Sequence, residues 1–319
     1  MAYELLISHD NIVYMPVVPE EVTWETERKG VQGKLSFKVL NDGVLNFTEG
    51  DAVRFKVNGM NVFFGFVFTK NRDKEGIVSV TAYDQLRYLK NKDTYCYSDK
   101  TASELIKMIA ADFNLQCGYI EDTKFKIESR IEDNQTLFDI IQKALDLTLQ
   151  NRKEMYVMYD DFGKITLRNL GSMKLNILLD ENSAENYEYK TSIDGETYDK
   201  IKLVRNNEKK GKREIYIAQD SSHINQWGVL QYFETIDENT NGKAKADALL
   251  KLYNQKTRSL SLKGVFGDVR VRGGSLVCVS LVLDDYVVNS FLLVEKVKHS
   301  FKESQHMMDL SLRGGEFIV

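Results

Sequence analysis

The stretch DAVRFKVNGMNVFFGFVF, Asp51–Phe68, carries the pattern that decides the fold. Its apolar residues from Val53 to Val57 alternate with charged ones, and a period of two is that of a β-strand with one buried face. Asn58 and Gly59 then form the dipeptide that best tolerates positive φ at both positions of a two-residue hairpin turn. The stretch therefore predicts two paired antiparallel strands.

The second strand of this hairpin, NVFFGFVF, is apolar on both faces. A strand with one face in water needs apolar residues only on the other face, so we expect this strand to be covered on both sides. Two interpretations fit: the outer face packs under a neighbouring domain, or it forms a contact between subunits. In the second case Phe63 and Val67 would lie at the contact.

The same alternation extends over much of the 319 residues and divides them into three regions. Residues 1–95 and 181–319 are typical of β-strands, and residues 96–180 contain two helical stretches and a hairpin. The second β-rich region includes one helix, KAKADALLKLYNQK. The predicted fold class is mainly β with an α+β insert, in which two related β-barrel-like domains flank a small α+β module.

The central module contains helix starts and a turn that can be placed on the sequence. Thr101 and Glu104 have the spacing of a capping box, and Asn134 is expected to cap the second helix, NQTLFDIIQKALDLTL. The segment EMYVMYDDFGKITLRNL predicts a hairpin that turns at residues 161–163.

The two β-rich regions contain an internal repeat. LNFTEGDAV, Leu45–Val53, and VRVRGGSLV, Val269–Val277, align with a constant separation of 224 positions, which places Gly50 opposite Gly274. Each copy continues with an alternating strand, a turn, an apolar strand, a charged connection and a last strand. Because four positions agree in register around a glycine, we interpret the two regions as related barrels, whose closure would also remove exposed strand edges.

Composition is that of an ordinary globular protein, with 43% hydrophobic residues, 28% charged residues and a formal net charge of −4. This charge balance does not favour a polyanion-binding surface, and we expect no sequence-specific nucleic-acid partner. No apolar run is long enough to span a membrane and the N-terminus lacks the features of a signal peptide, so we expect synthesis in the cytoplasm. The three widely spaced cysteines fit thiols in a reducing compartment.

No motif predicts a catalytic, cofactor or metal site. His299 and His306 can meet across a turn, but such a pair is far more often structural than metal-binding. The carboxylates at residues 160–161 and 284–285 fall at predicted turn tips. RVRGG lacks the following helix that a phosphate site needs, and the basic segment EKKGKR is typical of a solvated hairpin tip. A two-carboxylate glycosidase site stays open, because its members can be far apart in sequence.

The segment VTAYDQLRYLKNKDTY, Val80–Tyr95, raises the question of whether Asp84 takes part in chemistry. The segment predicts a strand that ends at Asp84 and is followed by a short helix. No motif places a second carboxylate, a histidine or a nucleophile beside Asp84. We therefore interpret it as a helix cap that accepts an otherwise unpaired backbone N–H.

Several segments together resemble the XkdQ/YqbQ-type phage tail proteins, which belong with the baseplate hub proteins of contractile tails and phage-tail-like bacteriocins. The segments are GDAVRF, FFGFVF, VTAYDQLRYLKNK, TASELIKMIAADFNL, MYVMYDDFGKITLRNL, SSHINQWGVLQYFETIDEN, AKADALLKLYN and the closing VEKVKHSF and MMDLSLRGG. Each is a degenerate pattern, and the order and spacing of all of them carry the resemblance. AYDQLRYL is the most distinctive.

The resemblance implies a structural role without a catalytic site or a cofactor. Such hubs are homotrimeric rings in which two similar barrels per chain give a pseudo-sixfold ring between a sixfold tail tube and a threefold central spike. The implied partners are the tube, the spike and other baseplate proteins, with assembly in the bacterial host cytoplasm and no membrane. Two alternatives remain: a cell-wall-degrading or glycan-binding component of the same apparatus, and a binding module unrelated to tails. Some relatives carry a fused cell-wall hydrolase domain, which we do not expect here.

Overall fold

Alternating apolar residues form β-strands along most of this computed structural model, which describes residues 1–41, 43–207, 212–236, 240–284 and 286–314. The N-terminal strands are β1 Tyr3–His9, β2 Ile12–Tyr14, β3 Val22–Glu27, β4 Lys34–Leu40, β5 Ala52–Val57, β6 Met60–Arg72 and β7 Ile77–Tyr83. A 3₁₀ helix at Gln85–Lys90 leads to β8 Lys92–Tyr97, α1 Ala102–Asp112, β9 Cys117–Ile120, β10 Arg130–Thr136, α2 Leu137–Arg152, β11 Tyr156–Asp160, β12 Ile165–Asn169 and a second 3₁₀ helix, Leu170–Met173. Then come β13 Lys174–Leu179, β14 Asn186–Ser192, β15 Lys200–Asn207, β16 Lys212–Gln219, α3 Ser221–Trp227, β17 Gln231–Thr235, α4 Gly242–Tyr253, β18 Thr257–Phe266, β19 Leu276–Val282, β20 Val287–Lys302 and β21 Gln305–Arg313.

The fold is mainly β, as the sequence predicts. None of the described helices is long and apolar enough to cross a membrane.

Strands from both ends of the chain belong to one sheet. Its order is β14-β18-β21-β20-β3-β4-β7-β6-β5-β1-β2, with β19 beside β20 and β13 beside β19. The junction between the two ends is the antiparallel pair β3–β20, in which Val22 lies opposite Phe301 and Glu27 lies opposite Lys296. Val269 and Phe301 accordingly pack into the same core as the N-terminal strands.

The chain divides into two compact units. The first comprises Met1–Glu188 and the strands from Ser261 onward, and the second is Tyr189–Leu260. This division does not coincide with the predicted boundary at residue 181. β20 pairs with β3 of the N-terminal strands, whereas β15, β16 and β17 form a separate sheet.

The second unit has its own small core. β15 pairs antiparallel with β16 and parallel with β17, and α4 packs on this three-stranded sheet. Its buried residues are Ile201, Leu203, Ala218, Ile236 and Ala246. The sequence predicted one helix between residues 181 and 319, whereas the structure has a second, α3, because Asp220 caps the backbone N–H groups of Ser222 and His223. Residues 208–211 of the predicted basic tip lie outside the described residues.

The central module confirms the capping box at Thr101 and Glu104, and its hairpin turns at Phe162 and Gly163 with φ of 51° and 84°. The predicted cap of the second helix is wrong, however. Asn134 lies within β10 with φ of 48°. The cap is Thr136, whose hydroxyl accepts a hydrogen bond from the backbone N–H of Asp139 at 3.1 Å, because the β10–β8 register shifts just before it and strand pairing continues to residue 136.

The prediction that Phe63 and Val67 are candidates for a subunit contact is also wrong. Their side chains are 2% and 1% exposed and belong to the core of the first unit. Phe63 lies directly opposite the buried Phe55, so it points to the same side of the sheet. The strand is nevertheless covered on its other side as well. Phe64 packs against Phe162 with ring centroids 5.8 Å apart, which favours the interpretation of internal packing at that position.

Candidate functional site

The turns that precede β5 and β19 have the same geometry in the two copies of the sequence repeat. Gly50 and Gly274 have φ of 93° and 97°, a region that favours glycine. The N–H of Gly50 donates to the carbonyl of Val67, and that of Gly274 donates to the carbonyl of Val294, both at 2.8 Å. The aligned glycines therefore make equivalent bonds to equivalent strands.

The long strand of each copy also has a bulge at the same place. The β6–β7 register shifts just after Val67, and the β20–β21 register shifts just after Val294. The bulged residues are Phe68 and Glu295. A bulge bends and twists a strand, so both strands can change neighbours along their length.

The strand order completes the correspondence. The run β3-β4-β7-β6-β5-β1, which we call repeat 1, matches the run β14-β18-β21-β20-β19-β13, which we call repeat 2. One difference is that β1 is antiparallel to β5, whereas β13 is parallel to β19. The repeat predicted from sequence is thus a repeat of topology, turn and bulge.

Asp84 ends β7 and caps the 3₁₀ helix Gln85–Lys90, as the sequence predicts. Its side chain is buried and accepts hydrogen bonds from the backbone N–H groups of Gly33, at 2.8 Å, and Leu86, at 3.0 Å. A Cβ at Gly33 would lie 2.4 Å from the carboxylate oxygen, so only glycine fits there. Through these two hydrogen bonds the carboxyl group connects the start of β4, the end of β7 and the 3₁₀ helix.

The structure also brings a second carboxyl group, Asp160 at the end of β11, close to Asp84. Burial, followed by the charge of Asp160, raises the pKa of Asp84 well above its usual value, although its two backbone hydrogen bonds oppose the shift. Burial likewise raises the pKa of Asp160 to about 6, against a hydrogen bond from the backbone N–H of Gly163. Sequence reasoning missed this pair, because the residues lie on different elements and Asp160 matched only a turn pattern.

Arg272 from the RVRGG segment lies beside this pair. Its guanidinium donates to the backbone carbonyl of Asp160 at 3.0 Å and lies 4.4 Å from the ring centroid of Tyr159. The next residue, Gly273, donates its N–H to Thr26 and contacts the backbone of β3. These groups of the RVRGG segment are used in internal contacts that hold repeat 2, repeat 1 and the central module together.

His299 and His306 meet across the β20–β21 hairpin, as the sequence allows. Nδ1 of His299 lies 2.9 Å from Nε2 of His306, and Nε2 of His299 lies 2.9 Å from the carbonyl oxygen of Val271. Burial lowers their pKa values to about 3 and about 4, so both are neutral at pH 7. Within the described ranges, no group of three or more histidine, cysteine, aspartate or glutamate side chains is arranged to hold a metal ion.

Comparison with known proteins gives the family. Residues 22–313 match the family model described as YQBQ-like. The chain belongs to the YQBQ-like family. It is 33% identical to the uncharacterized protein YqbQ of Bacillus subtilis strain 168, over 94% of this chain and 93% of that protein. It is also 31% identical to XkdQ, a protein of the phage-like element PBSX in the same strain, over 97% and 96% of the two chains.

Solved structures of tail proteins share the fold of this family member. A 43 kDa tail protein of prophage MuSo2 from Shewanella oneidensis has a TM-score of 0.68 at 12% identity, over 97% of this chain and 98% of that chain. A tail protein from Neisseria meningitidis has a TM-score of 0.65 at 11% identity, over 98% and 97%. A component of the Escherichia coli type VI secretion system has a TM-score of 0.57 at 10% identity, over 98% and 78%. The fold is therefore that of tail hub-like proteins.

Proposed function

We propose that this chain is a structural hub component in the baseplate of a contractile phage tail or tail-like particle. Three copies form a ring that contains six similar repeats. The ring joins the sixfold tail tube to the threefold central spike and contacts other baseplate proteins. Assembly takes place in the cytoplasm of the bacterial host.

The observation that carries this proposal is the duplication of one strand pattern within one sheet. Repeats 1 and 2 share strand order, glycine turn and bulge, and they are joined side by side through β3 and β20. A chain with two similar faces can present six of them in a threefold ring. Such a ring can match a sixfold partner on one side and a threefold partner on the other.

The similarity to known proteins also supports the proposed role in a tail. XkdQ belongs to a phage-like element, and the solved structures with this fold include tail proteins and a secretion-system component. The buried polar groups of this chain also have structural roles. Asp84 is buried and accepts two backbone hydrogen bonds, and the guanidinium of Arg272 donates to the backbone carbonyl of Asp160.

Two measurements test the proposal: size-exclusion chromatography with light scattering on the purified protein, and electron microscopy of purified tail particles that contain it. We expect a trimer, with three times the 36.7 kDa of one chain, and a ring on the tube axis in electron micrographs. A chain that is monomeric both alone and in tails would contradict the proposal. Cell-wall lysis in a zymogram, or saturable glycan binding, would instead favour the enzymatic or glycan-binding alternative.

A further inference from the structure

The three-stranded sheet of the second unit exposes large apolar side chains on one face. Ile201 and Ala218 lie opposite each other on the face that α4 covers, and both are buried in the core of this unit. Side chains alternate between the two faces of a strand, so residues offset by one position point away from α4. Three of these are apolar, with 52%, 54% and 51% of their surface exposed: Ile215, Ile217 and Phe233. Exposed apolar side chains that lie together favour an interaction surface.

Cations surround these apolar side chains. Lys202 lies opposite both Ile217 and Phe233, and Lys200 and Arg213 lie on the same face near its two ends. Among the described residues of β15, β16 and β17, no acidic side chain points to this face. We call it the basic face and define it by Lys200, Lys202, Arg213, Ile215, Ile217 and Phe233. It fits a partner segment that is apolar at its centre and acidic at its ends.

Such a segment occurs in the first unit at residues 10–21, which we call the strip. The strip follows β1, includes β2 and leads to β3. Asp10 lies at one end and Glu20 and Glu21 lie at the other, with no lysine or arginine between them. Four apolar side chains of its central part are each more than half exposed: Ile12, Val13, Met15 and Val17. The charge pattern of the strip thus complements that of the basic face.

The strip is anchored to the first unit in an extended form. Residues before a proline avoid the helical region, so Pro16 and Pro19 favour extended backbone in this segment. The carbonyl of Val17 accepts a hydrogen bond from the N–H of Leu40 at 3.1 Å, and Val18 packs against the core of the first unit. Because the backbone is already held, little conformational entropy is lost when the exposed side chains bind a partner.

The strip and the second unit each occur once per chain. In repeat 1 the strip lies in the connection from β1 to β3, whereas in repeat 2 the equivalent strands β13 and β14 are joined by residues 180–185, DENSAE, which include no large apolar residue. The strip contains β2, at one end of the strand order, and the second unit is inserted in the chain after β14, at the other end. Copies that meet head to tail in a ring can therefore match one strip with one basic face at every contact.

We propose that the strip of one copy of this chain binds the basic face of the next copy in the ring. This inference rests on the proposed function and names one contact between its subunits. The apolar side chains of the strip cover Ile215, Ile217 and Phe233, and its acidic ends lie near Lys200 and Arg213. The contact braces neighbouring copies in addition to the contacts between their repeats.

Disulfide trapping tests this contact. In a chain whose three cysteines are replaced by serine, Met15→Cys or Val17→Cys is combined with one cysteine at Ile215, Ile217 or Phe233 in turn. Contacting positions bring Cα atoms within the roughly 4.4–6.8 Å that a disulfide spans. The reaction is run on the trimer, either isolated or within tail particles, and we expect a covalent ladder up to the trimer for at least one combination.

Two further pairs are controls for the trapping reaction. Lys202→Cys with Ile217→Cys, which lie opposite each other within the second unit, is expected to form a disulfide without an increase in mass. Met15→Cys with Asp247→Cys, an exposed position on α4, is the negative control and is expected to give no ladder.

Charge reversal tests the electrostatic part of the contact. Lys202→Glu with Arg213→Glu makes the basic face acidic, so like charges meet across the contact. We expect the trimer of this variant to dissociate, on dilution in light scattering, at a protein concentration about tenfold or more above that of the wild type. Adding Glu20→Lys and Glu21→Lys to the same chain restores opposite charges and should return the wild-type profile.

Lys243→Glu with Lys251→Glu is the matched control for charge reversal. Both residues are exposed on α4, on the other side of the sheet, so the same change in net charge is expected to leave the trimer unchanged. An equal loss of the trimer in this control, or no recovery in the chain with all four changes, overturns the charge pairing.

The outcomes separate this inference from the proposed function. A trimer that gives no ladder for any combination, while the internal control reacts, overturns the contact and leaves the proposed ring intact. A strip disulfide that forms without an increase in mass places the strip on the basic face of its own chain and also overturns the contact. A ladder that stops at the dimer overturns the closed arrangement. A chain that is monomeric in solution and in tail particles overturns both the contact and the proposed function.

Discussion

Replacing Asp160 by asparagine tests the electrostatics of the buried carboxyl pair. Burial raises the pKa of Asp160 from 3.8 to about 6. A carboxyl group with a raised folded-state pKa stabilises the fold fully below its unfolded pKa, and this contribution is lost as the pH rises through the folded pKa. At about 1.4 kcal/mol per pH unit, a shift of about two units is worth roughly 3 kcal/mol over the whole window.

The asparagine variant removes this pH dependence because the amide does not ionise. At pH 4.5 most of the folded wild-type protein has Asp160 protonated, whereas at pH 8 it has to hold the charged form. We expect Asp160→Asn to raise the free energy of unfolding, relative to wild type, by about 2 kcal/mol more at pH 8 than at pH 4.5. The amide oxygen can still accept the 2.7 Å hydrogen bond from the backbone N–H of Gly163.

Urea unfolding at the two pH values measures this difference. A Trp227→Phe background leaves Trp24 as the only tryptophan, so its fluorescence reports on the unit that contains the carboxyl pair. Asp146→Asn, at an exposed position on α2, is the matched control for the removal of one carboxylate. An equal effect of Asp160→Asn at pH 4.5 and pH 8 would refute the reasoning.

Three further predictions concern packing, protonation and chain connectivity. Gly65→Ala places a Cβ 2.2 Å from the carbonyl oxygen of Tyr83 and is expected to cost about 1–3 kcal/mol in urea unfolding; an unchanged midpoint would show that the strands can separate at no cost. Burial lowers the pKa of His306 to about 4, so the folded protein loses stability as the pH falls from about 6.5 towards 4. His306→Gln should therefore show a smaller drop in melting temperature between pH 7 and pH 4 than the wild type. Replacing residues 193–256 by the six-residue link 28–33 should leave ring formation intact by light scattering, whereas a monomeric product would contradict the equivalence of the two links.

The sequence was sufficient for the features that depend on short-range patterns. Alternation located the hairpin at Asn58 and Gly59, which the structure forms with φ of 49° and 77°. The spacing of Gly50 and Gly274 located the repeat, because each glycine occupies a left-handed turn that few other residues adopt. Asp84 was identified as a cap because a strand followed by a helix leaves an unpaired N–H at a fixed distance along the chain.

Features that depend on three-dimensional proximity could not be obtained in this way. The Asp84–Asp160 pair joins residues 76 positions apart in sequence on two different elements. The assignment of Phe63 and Val67 to the outer face failed because nearly every residue of that strand is apolar, so periodicity does not show which face is the core. The register shifts after Phe55 and Val67 further prevent the alternation from being carried along the strand.

The two repeats differ in the length of the segment that joins their first two strands. In repeat 1, β3 and β4 are joined by the short link 28–33, whereas in repeat 2 the equivalent strands β14 and β18 are joined by residues 193–256, which form most of the second unit. The two ends of this insertion are adjacent, since Thr257 donates a hydrogen bond to the carbonyl of Ser192 at 3.1 Å. The insertion therefore occupies a loop position that a six-residue link can also fill. In the proposed ring, six repeats of one pattern would carry only three copies of the second unit. The sheet would then present a sixfold pattern and the insertions a threefold one, so one chain would supply both symmetries without a separate adaptor.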